Sequence, residues 1–224
     1  MPAQQVKNKK MKKIILAIVA ISALNTVMAQ TAKDLFTVSD VKITWLGLDF
    51  SHTKLIGNFS QVGEAGQTDP SSIRSTYFPS WNRLIVDEQK KFDIKGMLRK
   101  DYIVFDIDMM REKNSKAPLE QMEASNPPGY KQEDIAKFVK EYQLKEKTGI
   151  GVAFVMESLS KGEEEAIVHF VAINNATKEI LVYERIVGKP QGFGIRNYWA
   201  GAVFSVIKKI KGDYYKEWKS KYGS

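Results

Sequence analysis

Val41 to Phe50 (VKITWLGLDF) is apolar on both sides of an extended chain, with Val41, Ile43 and Trp45 facing one way and Leu46, Leu48 and Phe50 the other. Such a strand is buried on both faces, and the rest of the chain has to supply its cover. Asp101 to Met109 (DYIVFDIDM) predicts a second strand, its apolar face made by Ile103, Phe105, Ile107 and Met109. Three more strands follow closely at 150–159, 166–174 and 179–187, with hairpin turns at Ser160-Lys161-Gly162 and Asn174-Asn175.

Helical spacing fills the intervals. Asp69-Pro70 is an N-cap followed by proline at the first helical position. Pro79-Ser80 renews the helix, which continues through Trp81, Leu84 and Ile85, and residues 92–99 add a turn or two. Residues 131–147 carry Ile135, Phe138, Val139 and Tyr142 on one face. A final helix presents Trp199, Val203, Val206, Ile207, Ile210, Tyr214 and Trp218 as one stripe. Residues 30–40, 57–66 and 111–130 read as irregular. The predicted fold is α/β, a mixed α+β sandwich. One mixed five-stranded sheet runs in the order β-α-β-α-β-β-β-α with helices packed on it. Residues 41–224 form a single domain, without internal repeat or linker.

The chain starts with a leader pattern. Met11-Lys12-Lys13, the apolar run Ile14 to Leu24 and the small residues Val27 and Ala29 before Gln30 make a cleavable signal peptide. The true start is Met11 if the first ten residues are an upstream extension. The run is shorter than the roughly 20 residues that a membrane span needs, and no later stretch serves as one. The product is therefore expected in the periplasm or outside the cell, with no transmembrane span after cleavage. The leader also distorts the charge. The whole chain has 34 basic and 26 acidic residues, but five lysines and no acid lie in residues 1–29, leaving a net of +3. That balance argues against nucleic acid as a partner. The absence of cysteine removes disulfides, thiolate metal sites and a cysteine nucleophile, so an ordinary hydrophobic core must hold the fold.

Two places carry candidate chemistry. In Gly188 to Gly201 (GKPQGFGIRNYWAG) a strand, a glycine-rich turn and a helix start come together, and such a turn can cradle an anion on free backbone N–H groups. Gly192, Phe193, Gly194, Arg196, Asn197 and Tyr198 are its candidate ligand or partner residues, with Arg196 adding charge. The plain reading is that the glycines turn the chain while Phe193, Tyr198 and Trp199 plug into the core. The segment lacks the third glycine of a dinucleotide fingerprint and the Gly-Lys-Ser/Thr of a P-loop, and no cofactor is expected. The second candidate is acidic: Asp106 and Asp108 share a strand face, and Asp49 ends the first strand. Were those strands parallel neighbours, the three carboxylates would meet at one sheet edge and bind Mg²⁺ or Ca²⁺, or share a proton. The plain reading has them capping turns or pairing with lysines. His169 reads as a hydrogen-bonded residue inside a strand, and two histidines without ligand spacing predict no zinc site. The last helix interleaves Lys208, Lys209, Lys211, Lys216, Lys219 and Lys221 with aromatics, a solvated face or a surface for an anionic partner.

WLGLDFS at 45–51, FPSWNRL at 78–84, and GKPQGFGIRNYWA at 188–200 after NNATKEILVYERIVG resemble a family of secreted proteins typical of Bacteroidetes-type bacteria. The GFG-x-RNYWA segment is the most specific part. The resemblance implies a compartment but no activity and no catalytic residues. The function expected is a non-catalytic domain that binds an envelope protein or cell-surface component. The alternative is a metal-dependent enzyme or small-ligand binder using Asp49, Asp106 and Asp108.

Overall fold

The structure, a computed structural model, describes residues 30–57, 59 and 68–223. The predicted signal peptide, and all of the predicted 57–66 loop but its residues 57 and 59, lie outside the described residues. Seven strands make one sheet: β1 (Ile43–Asp49), β2 (Lys54–Ile56), β3 (Val104–Phe105), β4 (Glu123–Ala124), β5 (Ile150–Ser160), β6 (Glu165–Asn174) and β7 (Ile180–Gly188). The long strand β5 is its spine. One edge of β5 pairs in parallel with β1 and further along with β2, and the other pairs antiparallel with β6, which carries β7. β3 and β4 add in parallel to the outer edges of β1 and β2. The mixed α/β class is as the patterns predict, but the sheet has seven strands where five were expected. Two of its five columns are each built from two short strands end to end. β2 and β4 are too short to show a period of two.

The helices are α1 (Ala32–Thr37), α2 (Pro70–Ser72), α3 (Phe78–Asp87), α4 (Ile94–Met97), α5 (Asp108–Ser115), α6 (Gln132–Lys140), α7 (Gly194–Lys209) and α8 (Tyr215–Tyr222). α1 replaces the irregular segment expected at 30–40. Thr31 and Asp34 form a reciprocal capping box, and Leu35 and Phe36 are buried. Asp69 caps α2 by accepting the Ser72 N–H at 3.0 Å. A π-turn (Ile73–Tyr77) then joins α2 to α3, where Pro79 has no N–H to give and its ring would crowd the preceding turn. A second π-turn (Ile210–Tyr214) separates α7 from α8 and inserts one residue into the stripe. Tyr215 is therefore the buried tyrosine, and Tyr214 is only half-buried.

The predicted strand at 101–109 is also corrected. Only Val104 and Phe105 pair, and the chain turns into α5 at Asp108. Asp106 caps the turn by accepting the Asp108 N–H at 3.3 Å. Methionine, arginine, glutamate and lysine in DMMREKNS favour helix over the alternation that suggested a strand. The larger core lies on one sheet face under α1, α3, α4, α7 and α8; the smaller lies on the other, under α6 and Met110 of α5.

β1 does not alternate as its sequence suggests. Its register against β5 shifts between Trp45 and Gly47, a β-bulge. Leu48 and Phe50 therefore join Ile43 and Trp45 in the larger core, while Leu46 stays with the smaller one. Gly47 sits at φ +108°, and a Cβ there would meet Asn82 Oδ1 at 2.5 Å. That contact marks the central interaction of the fold. Past Phe105, among the described residues, the outer edge of β1 has no partner strand, and two buried asparagine side chains take its place. Asn82 accepts the Leu48 N–H (2.8 Å) and donates to the Leu48 carbonyl (3.0 Å). Asn114 donates to that same carbonyl (2.8 Å) and accepts the Phe50 N–H (2.7 Å). α3 and α5 are thereby bolted to β1 by its own ladder groups.

Removing either amide strands buried backbone groups, so Asn82→Ala and Asn114→Ala each cost about 2–4 kcal/mol. Because both side chains serve Leu48, the double variant loses a different amount from the sum of the two. Urea unfolding midpoints of the four proteins measure both quantities.

Candidate functional site

β7 ends at Gly188, and the chain crosses to α7 through Lys189–Phe193. Gly192 (φ +124°) and Gly194 (φ +73°) flank Phe193 and make the sharp entry into the helix. Phe193 is the N-cap of α7, with no side-chain cap bond, and its ring is 77% exposed. The expected plugging of Phe193 into the core is therefore wrong: the turn pushes the ring outward. Trp199 is buried as expected, one turn into the helix.

Beside this turn lies an open cavity of about 480 Å³. Phe59 and Trp199, stacked at 5.7 Å, contribute aromatic surface deep in it, and Ile195 adds an aliphatic patch. Phe193 and Tyr198 line it nearer to solvent, where the Tyr198 hydroxyl donates to Glu164 at 3.2 Å. Burial and the Glu164 charge both raise the pKa of Tyr198, so it stays a neutral donor. Lys161 lies over the Phe59 ring at 5.7 Å. The result is an aromatic cleft with polar groups at its mouth, suited to an apolar or aromatic group.

Of the six residues predicted here, Gly192, Phe193, Gly194 and Tyr198 line the cavity. Arg196 and Asn197 do not. The Arg196 guanidinium donates to Ser80 Oγ at 2.8 Å and its carbonyl accepts from Trp81 Nε1 at 2.8 Å, so Arg196 fastens α7 to α3. Asn197 donates to the Phe193 carbonyl at 3.2 Å and holds the turn. The idea that Arg196 reinforces an anion cradle at this helix start does not fit its bonds.

The three carboxylates are not brought together. Asp49 is wholly buried, and because the bulge at Gly47 turns it to the smaller core, it accepts from Tyr142 Oη at 2.9 Å, Ser51 Oγ at 2.6 Å and Ser51 N at 2.9 Å. Burial foremost, and then the Asp49 charge, push the Tyr142 phenol well above its ordinary value. Asp106 and Asp108 lie at the start of α5 instead of on a strand face, with Lys145 2.9 Å from Asp108 and 4.0 Å from Asp106. Among the described residues no group of three or more acidic or histidine side chains is placed to hold a metal ion.

One polar cluster escaped the sequence reading. A second bulge, between Met156 and Ser158 of β5, makes Glu157 the extra residue and buries it completely. Its Oε2 accepts from His169 Nε2 (2.8 Å) and Arg185 Nε (3.1 Å); its Oε1 accepts from Arg185 Nη2 (3.2 Å) and the Gly129 N–H (3.1 Å). His169 Nδ1 meets the Tyr183 hydroxyl at 3.0 Å. The carboxylate thus ties β5, β6, β7 and the 129 loop together, and with four donors it has no lone pair left for a substrate. His169 fulfils its expected role as a hydrogen-bonded residue inside a strand. The signal for Glu157 was available: it is a lone charge in the apolar run GVAFVMESLS. No protein family, curated protein or solved structure matches the chain.

Burial pulls the Glu157 carboxyl upward, but the His169 and Arg185 hydrogen bonds and charges outweigh it and hold the group below its ordinary value of 4.5. A carboxyl depressed in the folded state adds stability above its unfolded pKa and loses it as pH falls through the folded value. Glu157→Gln is expected to cost about 3 kcal/mol at neutral pH. It is also expected to flatten the loss of stability below pH 4.5. Thermal unfolding of both proteins from neutral to acid pH checks the two effects.

Proposed function

We propose that this chain is an exported, non-catalytic binding domain that docks an envelope protein or cell-surface component through the corner of Gly192, Phe193, Gly194 and Tyr198. The observation that carries the proposal is the outward Phe193 ring beside a cleft lined by Phe59, Tyr198 and Trp199. A large exposed aromatic next to a concave aromatic surface marks an interaction site more than a requirement of the fold. The leader pattern before Gln30 supports export, and the resemblance to secreted proteins supports the same compartment. No helix among the described residues is long and apolar enough to cross a membrane.

Two outcomes are expected. The exported protein has the intact mass of a chain beginning at Gln30; a mass that includes the leader would remove export by cleavage. Phe193→Ala leaves the melting temperature unchanged, since the ring packs on little. It lowers capture of cross-linked envelope partners by about tenfold or more, the size of effect seen when an aromatic anchor is truncated. Equal capture by the variant and the parent would overturn the docking role.

A further inference from the structure

On the other side of the same loop, Lys189, Pro190 and Gln191 face Ser205, Lys208 and Lys209 of α7 across an open cavity of about 290 Å³. No acidic residue is among those that line it, whereas the two larger clefts include Asp93 and Asp101 or Glu164. The Lys209 ammonium is held in place by the Val187 carbonyl at 2.8 Å and is only half-exposed. Lys208 and Lys209 have no carboxylate within ion-pair distance among the described residues, whereas Lys189 pairs with Glu165 at 3.4 Å and donates to the Glu163 carbonyl at 3.4 Å. The Ser205 hydroxyl oxygen accepts the Lys189 N–H at 3.4 Å, leaving its own hydrogen free to donate into the cavity.

We infer that this cavity is a binding site for a phosphate monoester, held by Lys189, Lys208, Lys209 and Ser205. Like charges gathered around one concavity repel each other, and a bound anion relieves that repulsion. The number of charges decides between anions. A single carboxylate would neutralise one of the two ammoniums, Lys208 and Lys209, that have no carboxylate partner among the described residues. A phosphate monoester carries about −1.5 to −2 at neutral pH and has several acceptor oxygens, enough for separate lysine donors and the serine hydroxyl. Lysine serves such a group as a point charge and needs no planar fork. The cavity has room for the phosphate and for part of the group it is attached to. The site is independent of the Phe193 cleft, since neither Phe193 nor Tyr198 lines it.

The test is a titration of the ¹⁵N-labelled chain with glycerol 3-phosphate, and separately with inorganic phosphate, followed by amide shifts. Saturable shifts at Lys189, Ser205, Lys208 and Lys209 are expected. Lys208→Glu should weaken binding by at least about tenfold, the effect of losing and reversing one charge-assisted contact. Lys216→Glu, at an exposed lysine further along the chain, controls for general electrostatics and should leave the affinity unchanged, as should Phe193→Ala. Co-sedimentation with phosphatidylcholine vesicles, with and without phosphatidic acid, identifies the source. Lys208-dependent binding to phosphatidic acid vesicles without binding to glycerol 3-phosphate would assign the same chemistry to a lipid headgroup. No saturable response to the two soluble probes together with no Lys208-dependent binding to phosphatidic acid vesicles, or equal losses in Lys208→Glu and Lys216→Glu, would overturn the inference.

Discussion

The structure depends on how the outer edge of β1 is finished. A buried strand must satisfy every N–H and C=O on both of its edges, and β3 supplies partners only opposite Thr44 and Trp45. Beyond that point a third strand residue would have to follow Phe105, but Asp106 instead turns the chain into α5. The Asn82 and Asn114 amides complete the ladder, each presenting a donor and an acceptor as a peptide group would. That requirement fixes α3 and α5 against the sheet. It also demands a residue without a Cβ at Gly47, where Asn82 comes in. The bulge at this glycine then sends Phe50 into the aromatic cluster with Phe78, stacked at 4.3 Å, and sends Asp49 to Tyr142 on the opposite face.

This explains where the sequence could be read and where it could not. β5, β6 and β7 are long, pair with sequence neighbours and turn through glycine or asparagine, so local pattern and tertiary contact agree. The same holds for the Asp69-Pro70 helix start and for the apolar face of α6. Two of the failures share one cause. A period of two predicts sides only while the register is unbroken, and one bulge in β1 reverses the side of every residue after it. The inserted residue of the second π-turn does the same to the helical stripe, exchanging Tyr214 for Tyr215. In residues 101–109 the alternation was genuine, but helix-favouring residues and the Asp106 cap overruled it after one short pairing. The carboxylate cluster failed with that strand, because its geometry assumed Asp106 and Asp108 on one pleat.

The two bulges also show how charge is placed in this protein. One lies in the central strand β5 and the other in its neighbour β1, and each turns a carboxylate into a hydrogen-bonded interior position: Asp49 after Gly47, and Glu157 itself. Burying a carboxylate is costly unless donors replace the water it has lost. Asp49 has a phenol, a serine hydroxyl and a backbone N–H; Glu157 has a guanidinium, an imidazole and a backbone N–H. Asp49 has three donors and Glu157 four, and neither lines the aromatic cleft or the lysine cavity. Acidic groups are therefore part of the framework here, fastening strands and loops to one another.

The outward phenylalanine and the lysine group both lie around the Gly188–Gly194 loop. Part of the segment is structural, since Arg196 and Asn197 lock α7 and the turn in place. The same anchoring fixes the direction of everything else in the loop. Phe193 is driven into solvent beside the aromatic cleft, and Lys189 is held across from Lys208 and Lys209. An exposed phenylalanine loses hydrophobic free energy, and Lys208 and Lys209, with no carboxylate partner among the described residues, repel each other, so the fold gains nothing from either arrangement on its own. Both costs are recovered when an apolar group covers the ring and an anion enters the lysine cavity. The sheet and its two asparagines support the loop, and the outward Phe193 and the lysines stand at one corner of that support, the arrangement that the proposed binding role needs.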